Sequence, residues 1–269
     1  MGSLESSFFD IGHLDALSNK ETAIHRVDPR VKVLTTFCFI VVVVSFQKYD
    51  LVRLMPFSIY PISVMAIGDI PFSYILKKLL LSSPFVIFMA MFNPILDRSP
   101  AYELGVLSVS GGFVSFASII AKFALTVSAA LATIACTGFD SICSALGRMG
   151  VPSVLTVQLL LVYRYIFVMG EEAARMARSR ALRSFGNRGM GMSVYAAMIG
   201  QLLLRTMDRG QRIHLAMLCR GFDGNIRYVK MSRIRPSDLL FFFGWTGVFI
   251  LLRLYNLPAW LGTELGRLI

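Results

Sequence analysis

Hydrophobic residues run along this chain in long unbroken blocks rather than in alternation. Val33–Phe46 is a continuous apolar run between Lys32 and Lys48. Leu54–Gly68 is the second, interrupted by Pro56 and Pro61, and Leu79–Phe92 is the third, closed by Asn93 and Pro94. Phe113–Cys136 is the longest, with Lys122 as its only charge. Leu239–Leu252 is the last, with Trp245 inside it and Arg253, Tyr255 and Trp260 beyond as interfacial anchors. None of these runs carries the polar face that an amphipathic soluble helix needs. At about 1.5 Å per residue the first run falls short of a hydrocarbon core of about 30 Å, so its flanking lysines are expected to snorkel. The pattern predicts an all-α polytopic membrane protein of five transmembrane helices.

Between the fourth and fifth runs the period changes. Phe139–Met149 reads as a short helix, stopped at Gly150-Val151-Pro152. A long helix is predicted from Ser153 to about Phe185, apolar over Leu155–Val168 and rich in glutamate and arginine afterwards. Glu171 and Arg175 form an i,i+4 pair of the favourable order, and Glu172 is also expected to serve Arg175 within the helix. Gly186-Asn187-Arg188-Gly189 marks a turn. A second long helix follows over Ser193–Cys219, with Tyr195, Met198, Ile199, Leu202, Thr206, Ile213 and Met217 along one face and Gly221 as its C-terminal glycine. The chain thus divides into an N-terminal segment (1–30), a four-helix membrane domain (31–137), an inserted domain of one short and two long helices (138–236), and a last membrane helix with its tail (237–269).

Composition supports the membrane reading. Hydrophobic residues make up 55% of the chain and charged residues 16%, against about 45–50% and 25% in soluble domains. That excludes an ordinary soluble enzyme, and so much apolar surface also excludes disorder. Yet the net charge is +11. From Gly138 to Pro236 fifteen basic residues face five acidic ones, which places ten of the eleven charges in one block; all its bases but Lys230 are arginine. Arginine favours forked recognition of carboxylate or phosphate. Loop charge sets the orientation. Lys20, Arg26, Arg30 and Lys32 precede the first run, and Lys77 and Lys78 lie between the second and third, whereas the alternate loops hold Lys48 and Arg53, then Arg98. The positive-inside bias predicts a cytoplasmic N-terminus, a cytoplasmic arginine block and an external C-terminal tail. The first thirty residues are mixed polar, so no cleavable signal peptide is expected.

Catalytic chemistry is hard to find. His13, His25 and His214 are far apart, and Cys38, Cys136, Cys143 and Cys219 have neither disulfide nor zinc spacing. There is no phosphate-binding G-x-x-x-x-G-K-[ST] segment. No cofactor, metal or nucleotide is therefore expected on this chain. Lys122 has two readings, a charge marking a transport route or an interfacial lysine that snorkels. The arginines also admit anionic lipid headgroups. An enzyme acting on those headgroups is disfavoured, because Asp140, Asp208 and Asp223 are too widely spaced to hold its metal. Nucleic acid is disfavoured by the lack of exposed aromatics for stacking.

His25 to Lys32 contains Asp28, Pro29, Arg30 and Lys32 in a D-P-R-x-K arrangement. It resembles the segment that enters the first membrane helix in one family, the transmembrane T components of energy-coupling-factor transporters. Arg164 and Tyr165 followed by Glu172 resemble its R-Y…E stretch, and Cys219-Arg220-Gly221-Phe222-Asp223-Gly224 is close to the R-G-F-D-G form of the cobalt-type, CbiQ-like branch. A first small-arginine-small motif falls on Leu182-Arg183-Ser184, with Ala177-Arg178-Ser179 as the competing frame. The resemblance implies a scaffold without substrate or nucleotide site in a bacterial or archaeal cytoplasmic membrane. Its two long helices would dock Leu182, Arg183, Ser184 and Cys219, Arg220, Gly221 onto two ABC-type ATPases that carry ATP and Mg. They would pass motion to a substrate-binding membrane subunit, with a small accessory membrane subunit as a further partner. Cobalt is the cargo implied, and a vitamin importer is the alternative.

Overall fold

The computed structural model describes residues 18, 20, 22–96, 100–104, 107–183, 191–224 and 234–255. They fall into two compact units, one over Phe139–Met231 and one combining Ala16–Gly138 with Ser232–Ile269.

In the second of these, α1 (Pro29–Val44) starts where local chemistry says it should. Asp28 is its N-cap and accepts the backbone N–H of Arg30 at 2.9 Å, while Pro29 occupies the first turn, where its missing donor is not needed. The second apolar run is a broken helix: α2 (Leu51–Leu54), a 3-10 turn over Met55–Ser58 that takes in Pro56, and α3 (Ile59–Ile67). α4 (Phe72–Ala90) contains Pro84 and is followed by the single turn α5 (Asn93–Leu96). A two-stranded antiparallel hairpin, β1 (Pro100–Leu104) and β2 (Leu107–Ser110), then leads into α6 (Gly111–Thr137). The hairpin is an addition that the block pattern did not foresee. The last helix of this unit is α10 (Pro236–Leu254).

α6 packs against α1, α3 and α4, and α10 packs against α1. The buried face of α6 is built from Ser115, Ser118, Ser128, Ala129, Ala132, Thr133, Ala135 and Cys136. Small residues of this kind let helices approach closely where lipid supplies no hydrophobic drive between them. A methyl group on Gly68 would lie 2.6 Å from Cys136 Sγ, so the chain after α3 touches α6 backbone to side chain. Across this unit Phe39, Phe57, Tyr60, Trp245 and Phe249 form one aromatic cluster, with centroids 4.7 Å apart for Phe39–Tyr60 and 5.0 Å for Tyr60–Trp245. Thr36 shares hydrogen bonds with Tyr60 (2.8 Å) and Thr133 (2.7 Å).

The other unit holds α7 (Phe139–Arg148), α8 (Ser153–Arg183) and α9 (Met192–Cys219). Gly150 (φ 101) ends α7, with Val151 N–H donating to Leu146 O at 3.2 Å, and Pro152 then starts α8. α7 lies along α8 with Phe139 stacked on Tyr163 at 4.3 Å. Four described helices are long and apolar enough to cross a membrane: α4, α6, α8 and α10. The set differs from the expected five runs at both ends of the scale. α1 has 16 residues and α2–α3 is interrupted, so neither reaches the length, whereas α8 qualifies through its apolar first half.

Candidate functional site

α8 carries its polar residues in a graded way, from an apolar half to a half bearing Arg175, Arg178, Arg180 and Arg183. α9 meets it along one stripe. Val194, Met198, Leu202, Thr206, Arg209, Ile213 and Met217 are its half-buried positions, at spacings of three and four, and no residue of α9 is fully buried. Tyr195 and Ile199, expected on this stripe, lie off it, with Ile199 66% exposed.

One position on the stripe is a charge, and its partner is on α8. Both oxygens of Glu172 are taken: Oε1 accepts from Arg205 Nη1 at 3.1 Å and Oε2 from Arg209 Nη2 at 3.0 Å. The Glu172 side chain is 10% exposed. The expectation that it serves Arg175 is therefore corrected. That role belongs to Glu171, which is paired with Arg175 at 3.5 Å on the open side of the helix. An acid facing a neighbouring helix loses hydration, and the two charge-assisted bonds it gains offset that cost. Arg205 and Arg209 were missed by sequence reasoning, although a signal existed: the apolar stripe of α9 skips from Thr206 to Ile213, and Arg209 fills the gap.

Beside this ion pair lies a cavity of about 580 Å³ between α8 and α9. It is lined by Val157, Leu161, Tyr165, Met169, Ile213, Met217 and Phe222, with Arg209 and His214 among its polar groups. Tyr165 thus faces α9 as Glu172 does, two turns further on, while the neighbouring Arg164 is exposed.

The C-terminus of α9 has a defined stop. Phe222 N–H donates to Met217 O and Gly221 N–H to Leu218 O, each at 3.0 Å, with Gly221 at φ 76. This paired closure needs a left-handed residue, which glycine adopts without strain. It holds Arg220 at the C-cap, exposed, with Cys219 before it also exposed. Arg183 is the last residue of α8 and is likewise exposed, beside Leu182 at 82% exposure. Ser184 lies outside the described residues. In the competing frame Arg178 and Ser179 are exposed on the last turns of α8, and Ser179 Oγ donates to Met176 O. The thiol of Cys143, buried on α7, is pushed up to about 11 by burial.

The D-P-R-x-K residues belong to the membrane unit. Lys32 is buried and donates to Cys136 O at 3.1 Å, which ties the start of α1 to the end of α6. Asp28 and Asp238 are both 2% exposed, and their charges act on the Lys32 ammonium. Asp238 also caps α10, accepting from Arg235 N at 2.8 Å. The Lys122 ammonium reaches Phe46 O, 2.6 Å away and just past the end of α1. Among the described residues no three His, Cys, Asp or Glu side chains converge as metal ligands would.

The sequence profile of the CbiQ family, described as cobalt transport protein, matches residues 20–230. The chain belongs to this family. An uncharacterized protein of Methanocaldococcus jannaschii is 26% identical over 231 residues, covering 81% of this chain and 77% of that protein. The cobalt transport protein CbiQ of Rhodobacter capsulatus is 35% identical over 98 residues, 36% of this chain and 40% of its own. EcfT of Bacillus subtilis, an energy-coupling factor transporter transmembrane protein, is 22% identical over 226 residues, 78% of this chain and 84% of that one. Membership of a transporter family and the four long apolar helices make this CbiQ-family chain an integral membrane protein.

Proposed function

We propose that this chain is the transmembrane coupling subunit of an energy-coupling-factor importer, with cobalt as its cargo. One observation carries the reading: two long helices, joined by an ionic contact, each end in an exposed arginine. A guanidinium at a helix tip presents a fork of donors to carboxylates in a partner's groove, and the Gly221 turn lets that tip approach closely. The partners are two ABC-type ATPases, which hold ATP and Mg, docked at Leu182-Arg183-Ser184 and Cys219-Arg220-Gly221. Their closure moves the two tips, and rigid helices convert that motion into a change at the substrate-binding membrane subunit. Exposed apolar residues such as Val162, Ile166, Leu203 and Leu204 supply surface for that subunit. The N-terminus and the arginine block face the cytoplasm, and the cobalt ion itself is bound elsewhere in the complex.

The test is co-expression with the ABC-type ATPases and co-purification in detergent. Arg183→Ala with Arg220→Ala inserts normally and weakens ATPase association about 30-fold or more, the scale for truncating one side of a hydrogen-bonded charge pair. Arg178→Ala leaves association unchanged. Undiminished association and ATP-driven uptake of labelled cobalt by the double variant would overturn the docking assignment. A second reading keeps the coupling role and changes the cargo to a vitamin. It draws on the long matches to EcfT proteins, 78% of this chain in the Bacillus relative, against 36% for the cobalt transporter. Uptake assays with cobalt and with vitamins in parallel decide between them.

A further inference from the structure

We propose that Glu172 is the pin about which α8 and α9 are held, a positioning residue that fixes the separation of the two arginine-tipped ends. The inference deepens the coupling reading and rests on it for its meaning.

Three observations support it. A single carboxylate is held by two guanidiniums one turn apart on the other helix, at 3.1 and 3.0 Å. Two bonds from one side chain fix orientation as well as contact. Next, the residues around Glu172 are small, with Gly170 buried and Ala173 and Ala174 half-buried, and small residues permit close helix packing. The other half-buried positions of α9, Val194, Met198, Leu202, Thr206, Ile213 and Met217, carry no charge, so the ionic contact is the specific one in an otherwise adaptable seam. Finally, the arms are equal. Arg183 lies eleven residues beyond Glu172, and Arg220 lies eleven residues beyond Arg209. At about 1.5 Å per residue each arm is roughly 16 Å long, so a 10° rotation about the pin displaces either tip by about 3 Å. The Arg178 frame would make the first arm six residues and the levers unequal.

Charge makes the pin more than a packing contact. Arg205 and Arg209 are themselves an i,i+4 like-charge pair. Glu172 neutralises part of that repulsion, and in its absence the two arginines repel each other and favour water over the seam. Glu172→Gln therefore loosens the contact while removing almost no volume.

The experiment uses the full chain in lipid nanodiscs. Cys219 is the one exposed thiol among the four cysteines, and Ser179→Cys adds a second exposed label site near the end of α8. Distances between spin labels at these two sites report the separation of the arms. The native pin gives one narrow distribution, Glu172→Gln broadens it at least twofold, and Glu172→Arg with Arg209→Glu, which keeps one carboxylate between two guanidiniums, narrows it again. An unchanged distribution in Glu172→Gln, or no rescue by the exchange, overturns the proposal. Should Glu172→Gln fail to fold, Arg205→Gln, which removes one of the two bonds, takes its place with the same expected broadening. In complex with the ATPases, Glu172→Gln retains co-purification but lowers ATP-driven uptake roughly tenfold, within the range by which coupling networks are modulated. An uptake equal to the native level counts against the pin. A native chain that binds no ATPase would instead remove the coupling reading and leave the distance result standing.

Discussion

Lys32 shows how much a single buried ammonium holds in a membrane helix. It bonds Cys136 O on α6 and lies in the field of Asp28 and Asp238, which begin α1 and α10. Three helix ends thus meet around one charge. Lys32→Ala removes the bond to Cys136 O and the positive charge facing Asp28 and Asp238, which are 2% exposed, a change that costs about 1.5–3 kcal/mol for a lost hydrogen bond to a charged group. The expected result is a large drop in the melting temperature of the detergent-solubilised protein, with the arginine-tipped helices unaffected locally. Gly221 acts through backbone alone. Its φ of 76 costs a residue with a Cβ about 1–2 kcal/mol, so Gly221→Ala should speed amide hydrogen exchange around Leu218–Phe222. A normal exchange pattern there would show that the paired closure does not depend on glycine. Cysteine chemistry is graded by position: Cys143, with its thiol raised to about 11 by burial, resists alkylation at neutral pH, whereas exposed Cys219 reacts. The Cys143 contribution rises only as the pH approaches 11, which mass mapping after maleimide treatment at pH 7 and above will read.

At the scale of helices, much was written in the sequence. Gly150-Val151-Pro152 punctuates α7 and α8 as expected, and α9 begins one residue before its predicted start and ends at the predicted Cys219. These boundaries were legible because glycine and proline act locally. The partners of Glu172 were not. They lie 33 and 37 residues away, and a helical wheel ranks only the neighbours within one turn, so Arg175 drew the assignment. The hairpin between α5 and α6 was invisible for a different reason: Pro100–Ser110 has no long alternating pattern, and short antiparallel pairs draw their stability from what they pack on. The roles of Arg183 and Arg220 follow from resemblance and from their place at helix ends, and it is the ATPase-association assay that assigns them.

For the whole molecule the decisive quantity is where charge sits. Residues 139–231 carry thirteen basic against five acidic residues, which is eight of the eleven net charges. The positive-inside argument turns this into a topological prediction. A membrane-impermeant maleimide should leave Cys219 unlabelled in intact cells and label it in inside-out vesicles. Labelling from outside would invert the orientation and with it the ATPase side of the coupling scheme. At the far end of α1, Lys122 on Phe46 O and Arg253 on Val42 O place two cations at the negative end of that helix's dipole.

A helix of 28 residues with none of them fully buried is an incomplete piece of protein when considered alone. Its stability is supplied in part by whatever covers it, by mass action with the partner. In the cell this makes the subunit's lifetime a function of its company. Chains made in excess of their partners would expose α9 to proteases through frequent local opening, and the surplus would be cleared. On the coupling role proposed above, the abundance of the importer would then be set by its scarcest component, without any dedicated regulator.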